Sequence, residues 1–192
     1  DLEYPVYEIN QVRGVNPQGV LDSISTACEL RGIVHGWNDY PTGLQFTLID
    51  PTNGINVFSP VSNFGYNVQE GDSVRVRGVV DQYLGLAQIR IDTLIFEGSG
   101  FPSDTPQLVF EMDEETESRI VKLKCTELVD LSDWTNTTPG FNVRLAFGQQ
   151  EIIMRIDANT DLFGTPVPVG VFGVTGIGGQ SDPNAPFVDG YT

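Results

Sequence analysis

Residues 43–80 read GLQFTLIDPTNGINVFSPVSNFGYNVQEGDSVRVRGVV. Leu44, Phe46 and Leu48 alternate with Gln45 and Thr47, the period of a strand with one face in a core. Asp50-Pro51-Thr52-Asn53-Gly54 is a turn cluster, because an Asn-Gly pair accepts positive φ. Residues 55–58 then pair back as a second strand. After another turn at Glu70-Gly71-Asp72, Val74, Val76, Gly78 and Val80 alternate with Arg75, Arg77 and Val79. Three strands punctuated this way form the middle of a small closed β-barrel.

The flanking sequence supplies the rest of that barrel. In the lead-in, residues 1–19, Val6, Ile9 and Val12 are spaced like a short helix or an irregular strap over a core. Asn16-Pro17-Gln18-Gly19 is a turn. With Asp22 it loosely echoes a calcium loop, but it carries one carboxylate where a hard cation wants several. Residues 27–35 are the first strand, with Gly32 inside it, and an internal glycine marks a bend or bulge. Residues 36–42 form a loop bearing Trp37, Asn38, Asp39 and Tyr40. Residues 60–68 are too short and too rich in Asn and Gly for a long helix. Residues 81–85 turn at Tyr83, and 86–96 are a fifth strand.

The stretch GSGFPSDTP that follows is a linker by composition. The acidic run after it fits a turn capped by Asp113. The pattern then recurs. Residues 119–129 match the first strand, and 130–139 form a loop bearing Trp134 as the earlier loop bears Trp37. Gly140-Phe141-Asn142-Val143-Arg144-Leu145 matches Gly43-Leu44-Gln45-Phe46-Thr47-Leu48, and 151–156 is the next strand. Residues 169–174 match 74–79, with Gly173 in the place of Gly78. Such long-period self-similarity signals duplication. The predicted organisation is a barrel with its strap over 1–97, a linker over 98–107 and a second barrel over 108–192. The second copy reaches Thr192 where a closing strand would begin, so the natural polypeptide is expected to continue or to end in a disordered tail.

Composition narrows the functional classes. Gly at 21 and Pro at 12, with few helical periods, favour an all-β class. Asp plus Glu number 26 against 10 Lys plus Arg, a net charge of −16. Phosphate contacts dominate nucleic-acid affinity, so this charge argues against nucleic acid as a partner. No hydrophobic run is long enough to span a membrane. The chain starts at Asp1 and shows no signal peptide, as a processed or excised product would. Cys28 shares strand parity with Leu30, and Cys125 with Val121 and Leu123. Both thiols are therefore expected to point inward as small hydrophobes rather than to form a bridge.

The five-stranded barrel with a bent first strand resembles the OB-fold. Cys28-Glu29-Leu30-Arg31-Gly32, Asn63-Phe64-Gly65-Tyr66 and Glu70-Gly71-Asp72-Ser73-Val74 resemble the OB-fold repeats of secreted multidomain bacterial proteins. So do Asp161-Leu162-Phe163-Gly164-Thr165, Thr175-Gly176-Ile177-Gly178-Gly179-Gln180 and Pro186-Phe187-Val188-Asp189-Gly190-Tyr191. The resemblance implies an exported, secreted or cell-surface protein, of a kind that often ends in a sorting domain for type IX secretion.

No catalytic set assembles from the residues. His35 is the one histidine, and on a single strand it faces away from Cys28. Three Cys and His residues in total are too few for a zinc site. Gly176-Ile177-Gly178-Gly179 lacks the helix that a dinucleotide site needs, and reads as a turn. No catalytic residue, metal or cofactor is assigned. OB-folds bind through strands 2 and 3 and the neighbouring loops, which makes Trp37, Asn38, Tyr40, Gln45, Thr47, Arg75, Arg77 and Tyr83 the candidate ligand residues. Arg119, Lys122 and Lys124 form a local basic cluster, expected to be neutralised by Glu114, Glu115 and Glu117. The expected function is a non-catalytic binding or spacer module of a larger exported protein, its partners an unknown ligand or neighbouring domains. The alternative is a single-stranded nucleic-acid-binding module attached to an extracellular nuclease.

Overall fold

The computed structural model describes residues 3–192. Ten strands follow in chain order: β1 Ala27–His35, β2 Leu44–Ile49, β3 Gly54–Ser59, β4 Ser73–Tyr83, β5 Leu86–Gly98, β6 Gln107–Leu108, β7 Ile120–Leu128, β8 Gly140–Phe147, β9 Gln150–Asp157 and β10 Phe172–Ile177. Two short 3₁₀ turns, Ile9–Val12 and Leu131–Asp133, are the only helical elements among the described residues. None is long and apolar enough to cross a membrane. The protein is all-β, with two sheets of five strands.

The first sheet closes on itself in the order β1-β2-β3-β5-β4. β1 serves both neighbours: Ala27–Ile33 pairs with β4, and Ile33–His35 with β2. Two glycines permit this curl. A Cβ on Gly32 would stand 2.5 Å from the Ile49 carbonyl oxygen, and one on Gly78 2.1 Å from that of Arg90. Gly78 also lies at a register shift between β4 and β5. The parallel pairing of β3 with β5 completes the ring. Alternate residues fill its interior, among them Leu30, Phe46, Leu48, Val57, Val76 and Ile89. Each fully buried aliphatic side chain contributes about 1.5–3 kcal/mol. The strap forms a 3₁₀ turn that buries Ile9 and Val12 against the ring, whereas Val6, expected to join them, is exposed.

The second sheet runs β10-β7-β8-β9, with β6 on the other edge of β7. Its core holds Leu123, Val143, Leu145, Ile152 and Ile156. Three sequence-based expectations need correction. Cys125 is exposed, whereas Cys28 is buried, and both thiols are free. Thr126 pairs with Phe172 and Leu123 with Val174, so Lys124 and Cys125 together stand opposite Gly173. This bulge, with Cys125 at φ 60°, reverses the strand parity. The matching strand begins at Phe172 rather than Val169, and Val169 and Val171 lie exposed ahead of it. Gly176 and Ile177 belong to that strand and are not a turn.

The two sheets are locked together. Arg13, the buried residue that ends the strap's 3₁₀ turn, pairs with buried Glu117 and with Glu114 at 3.2 Å. The Ala87 amide of β5 also donates to Glu117 Oε1, at 3.2 Å. Further bonds run from Phe187 N to Gln18 O at 2.8 Å and from Asp182 N to Leu84 O at 2.7 Å. Glu114 and Glu117 therefore answer Arg13 and not the basic cluster of β7. Lys122 and Lys124 are exposed, and Arg119 donates to the Thr52 carbonyl at 3.1 Å. Asp113 caps its turn through the Glu115 and Thr116 amides, and no helix follows.

Candidate binding site between the two sheets

A cavity of about 600 Å³ lies where the open side of the second sheet faces the outer surface of β2 and β3. One wall comes from the first sheet. The loop from β1 to β2 is tied by Asn38, whose Nδ2 donates to Gly43 O at 3.0 Å. Asn38 Oδ1 accepts from Tyr40 N at 3.1 Å and Gln45 N at 2.9 Å. This side chain shapes the loop and has little capacity left for a ligand. The loop holds Trp37 half-buried against the cavity, its buried indole Nε1 without a hydrogen-bond partner. Gln45 and Thr47, outward residues of β2, and Asn56 of β3 line the same wall. The opposite wall is apolar: Leu123, Leu145, Ile152, Met154 and Val174 turn the inner face of the second sheet toward it.

His35 joins Trp37 in this lining, although its sequence position suggested no role beyond the end of a strand. It is 2% exposed and its Nδ1 has no partner. Burial lowers the pKa of its imidazole, against the pull of Glu70 and Asp104. The signal that could have found it is adjacency: β1 ends on His35, and the loop that carries Trp37 begins one residue later. The charged groups at the cavity are Asp39, Glu70 and Asp161 against Arg155 alone, so its rim is acidic.

Of the eight candidate residues, Trp37, Gln45 and Thr47 meet at this cavity. The other five do not line it. Tyr40 packs edge-on against Phe58, ring centroids 5.3 Å apart. Tyr83 projects from the end of β4, 63% exposed. Arg75 and Arg77 belong to an ion-pair ladder across β4, β1 and β5. Arg77 Nε stands 2.6 Å from Glu29 Oε2, and Arg75 bridges Glu29 Oε1 at 3.3 Å and Glu97 Oε1 at 2.8 Å. Arg31 holds the remaining Glu97 oxygen. The Arg77 and Arg75 guanidinium groups keep the Glu29 carboxyl below its ordinary range. Strand spacing set these arginines outward correctly, but it could not reveal that the adjacent strand presents them with a buried carboxylate.

The turn at residues 16–19, with its loose echo of a calcium loop, is closed by its own side chain, with Asn16 Oδ1 accepting from Gln18 N and Val20 N. Among the described residues no group of three or more His, Cys, Asp or Glu side chains is placed to hold a metal ion. No protein-family model matches the chain, and no curated protein matches it.

Proposed function

We propose that the chain is a non-catalytic binding module of an exported multidomain protein, built from two tandem OB-fold-like units, with its ligand seat in the cleft between them. The observation that carries this reading is the cavity of about 600 Å³ with Trp37, Gln45 and Thr47 on one wall and apolar side chains on the other. Ligand clefts typically combine such a volume and apolar lining with a few convergent polar groups. The ring order β1-β2-β3-β5-β4 supports the OB-fold assignment. Duplication is supported by the second sheet, where β10-β7-β8-β9 repeats the order β4-β1-β2-β3. A short parallel segment on the first strand of each sheet, Val6 on Glu29 and β6 on β7, adds to it. Export rests on the family resemblance and the acidity.

Single-stranded nucleic acid is the weaker reading, because Arg75 and Arg77 are already engaged by carboxylates and the cleft rim is acidic. The test is titration with the neutral apolar dye Nile red. Wild-type protein should brighten the dye saturably, and Trp37→Ala and Thr47→Arg should each weaken binding roughly tenfold, the usual scale for losing a central contact. A dye that stays dark with the wild type defeats the reading.

A further inference from the structure

We infer that the cleft takes a neutral saccharide, whose hydroxyl groups are held by His35, Thr47 and Asn56 of the first sheet with Gln45 beside them. The inference rests on the cleft reading and names the class of ligand. Strand register sets three of these side chains in one row. His35 of β1 stands opposite Thr47 of β2, Thr47 opposite Asn56 of β3, and Asn56 opposite Gln88 of β5. Their chain neighbours, among them Val34, Phe46, Leu48, Ile55, Val57 and Ile89, fill the interior of the ring, so the row faces outward. Adjacent strands lie about 4.8 Å apart, and the row therefore presents a polar group at that interval across the sheet.

This outward face is shielded from water: His35 is 2% exposed and Asn56 6%. Buried polar side chains are as a rule hydrogen-bonded. At the far end of the row the rule holds, where Gln88 Nε2 donates to Asp81 Oδ2 at 3.1 Å. At the cavity it does not. His35 Nδ1 has no partner. Among the described residues no side-chain hydrogen bond engages Thr47, Asn56 or Gln45, whose bonds are those of their backbones. The row is satisfied where protein closes over it and open where the cavity begins. β1, β2 and β3 are each paired on both sides within the closed ring, so this wall offers a ligand side chains and no strand edge.

The open groups share one chemistry. A neutral imidazole, a hydroxyl and two carboxamides each donate and accept hydrogen bonds without carrying charge. Burial of His35 favours that neutral form at pH 7. Hydroxyl groups have the same dual character, and a sugar ring carries several at fixed spacing. Trp37 adds a half-buried indole at the cavity, on which the C–H face of such a ring can lie. Asp39, Glu70 and Asp161 at the rim repel uronates and sugar phosphates, which narrows the class to uncharged saccharides.

The probes are cellohexaose, maltohexaose, xylohexaose and mannohexaose, with hexagalacturonate as the anionic control. Binding to the intact chain is read by titration calorimetry, alongside Nile red. At least one neutral saccharide should bind saturably, and the anionic control about tenfold more weakly or not at all. Thr47→Val and Asn56→Leu remove the hydroxyl and the carboxamide with little change of shape. Each should weaken that saccharide by about tenfold or more, because a site built on hydrogen bonds to hydroxyls loses them selectively. Each should leave Nile red affinity unchanged. Their urea midpoints should equal or exceed that of the wild type, since a buried polar group without a partner adds nothing to the stability of the fold.

Binding of the dye with none of the four neutral saccharides overturns the saccharide and leaves the cleft reading standing. Hexagalacturonate bound as tightly as a neutral saccharide overturns the selection against charge. Saccharide binding that survives both substitutions overturns the assignment to the row. Unfolding of both variants at lower urea than the wild type gives the row a structural role and overturns its role in binding. A dye that stays dark removes both readings.

Discussion

Glu117 is the residue under most electrostatic tension. It is completely buried, and burial pushes its carboxyl up to about 7, with Glu114 acting in the same direction and Arg13 and the Ala87 amide opposing. Tyr191 adds to the cluster through its hydroxyl, which donates to Glu114 Oε2 at 3.3 Å. The folded chain holds this proton more tightly than the unfolded chain, whose carboxyl titrates near 4.5. The stabilisation is therefore complete below pH 4.5 and is lost as pH rises to about 7, by at most about 3 kcal/mol. His35 works in the opposite sense. Its folded pKa lies below 6.5, so stability falls as pH drops through that region and the unfolded chain takes up the proton. The two slopes overlap, and Glu117→Gln separates them. Urea unfolding at pH 5 and pH 8 should show the wild type losing stability with rising pH relative to the variant. Equal pH dependence in the two proteins would refute the assignment.

At the level of the elements, strand alternation reads correctly where a strand is regular and fails where it bulges. Residues 43–80 were legible because Leu44, Phe46, Leu48, Val74 and Val76 keep strict parity, and all five are buried. Cys125 escapes this parity because one left-handed residue shifts every later side chain to the other face, and a non-glycine at positive φ leaves no compositional mark. β6, two residues long and exposed, has no period to detect. Strand-internal glycines were legible as a class, but their importance differs. Gly78→Ala must drive a methyl group into the Arg90 carbonyl at the point where the first sheet turns. It should cost on the order of 3 kcal/mol or more. Gly176→Ala in β10 meets open space and should lie within about 1 kcal/mol of the wild type. Chemical denaturation of the two variants decides this, and similar losses would mean that the first sheet tolerates a wider β4–β5 spacing.

At the level of the whole molecule, the site depends on docking that no local pattern encodes. Gln45 and Thr47 could be placed on one face of the first sheet from their spacing, and Trp37 in the loop before it, but the apolar wall opposite them comes from a separate sheet. The contact that fixes the two together joins Arg13 to a glutamate 104 residues away. Each partner of that pair reads in sequence as an ordinary surface charge. This dependence has a calorimetric consequence. The first sheet is a closed ring around eighteen buried core residues, whereas the open second sheet gathers ten. Alone, the second should be much the less stable. With Arg13 and Glu117 both desolvated at the interface, removing Arg13 takes away the buried partner that holds the Glu117 carboxyl, and with it the side-chain contact between the sheets. The intact chain should therefore unfold in one cooperative transition, because loss of the second sheet exposes the buried face of the first. Arg13→Ala should split this into two, the lower one assigned to the second sheet by early exchange of β8 and β9 amides. Arg13→Lys keeps the charge but loses the fork that reaches Glu114 and Glu117 together, and it should fall between the two. A single transition in Arg13→Ala, merely lowered in temperature, would show that the Phe187–Gln18 and Asp182–Leu84 bonds suffice to couple the sheets.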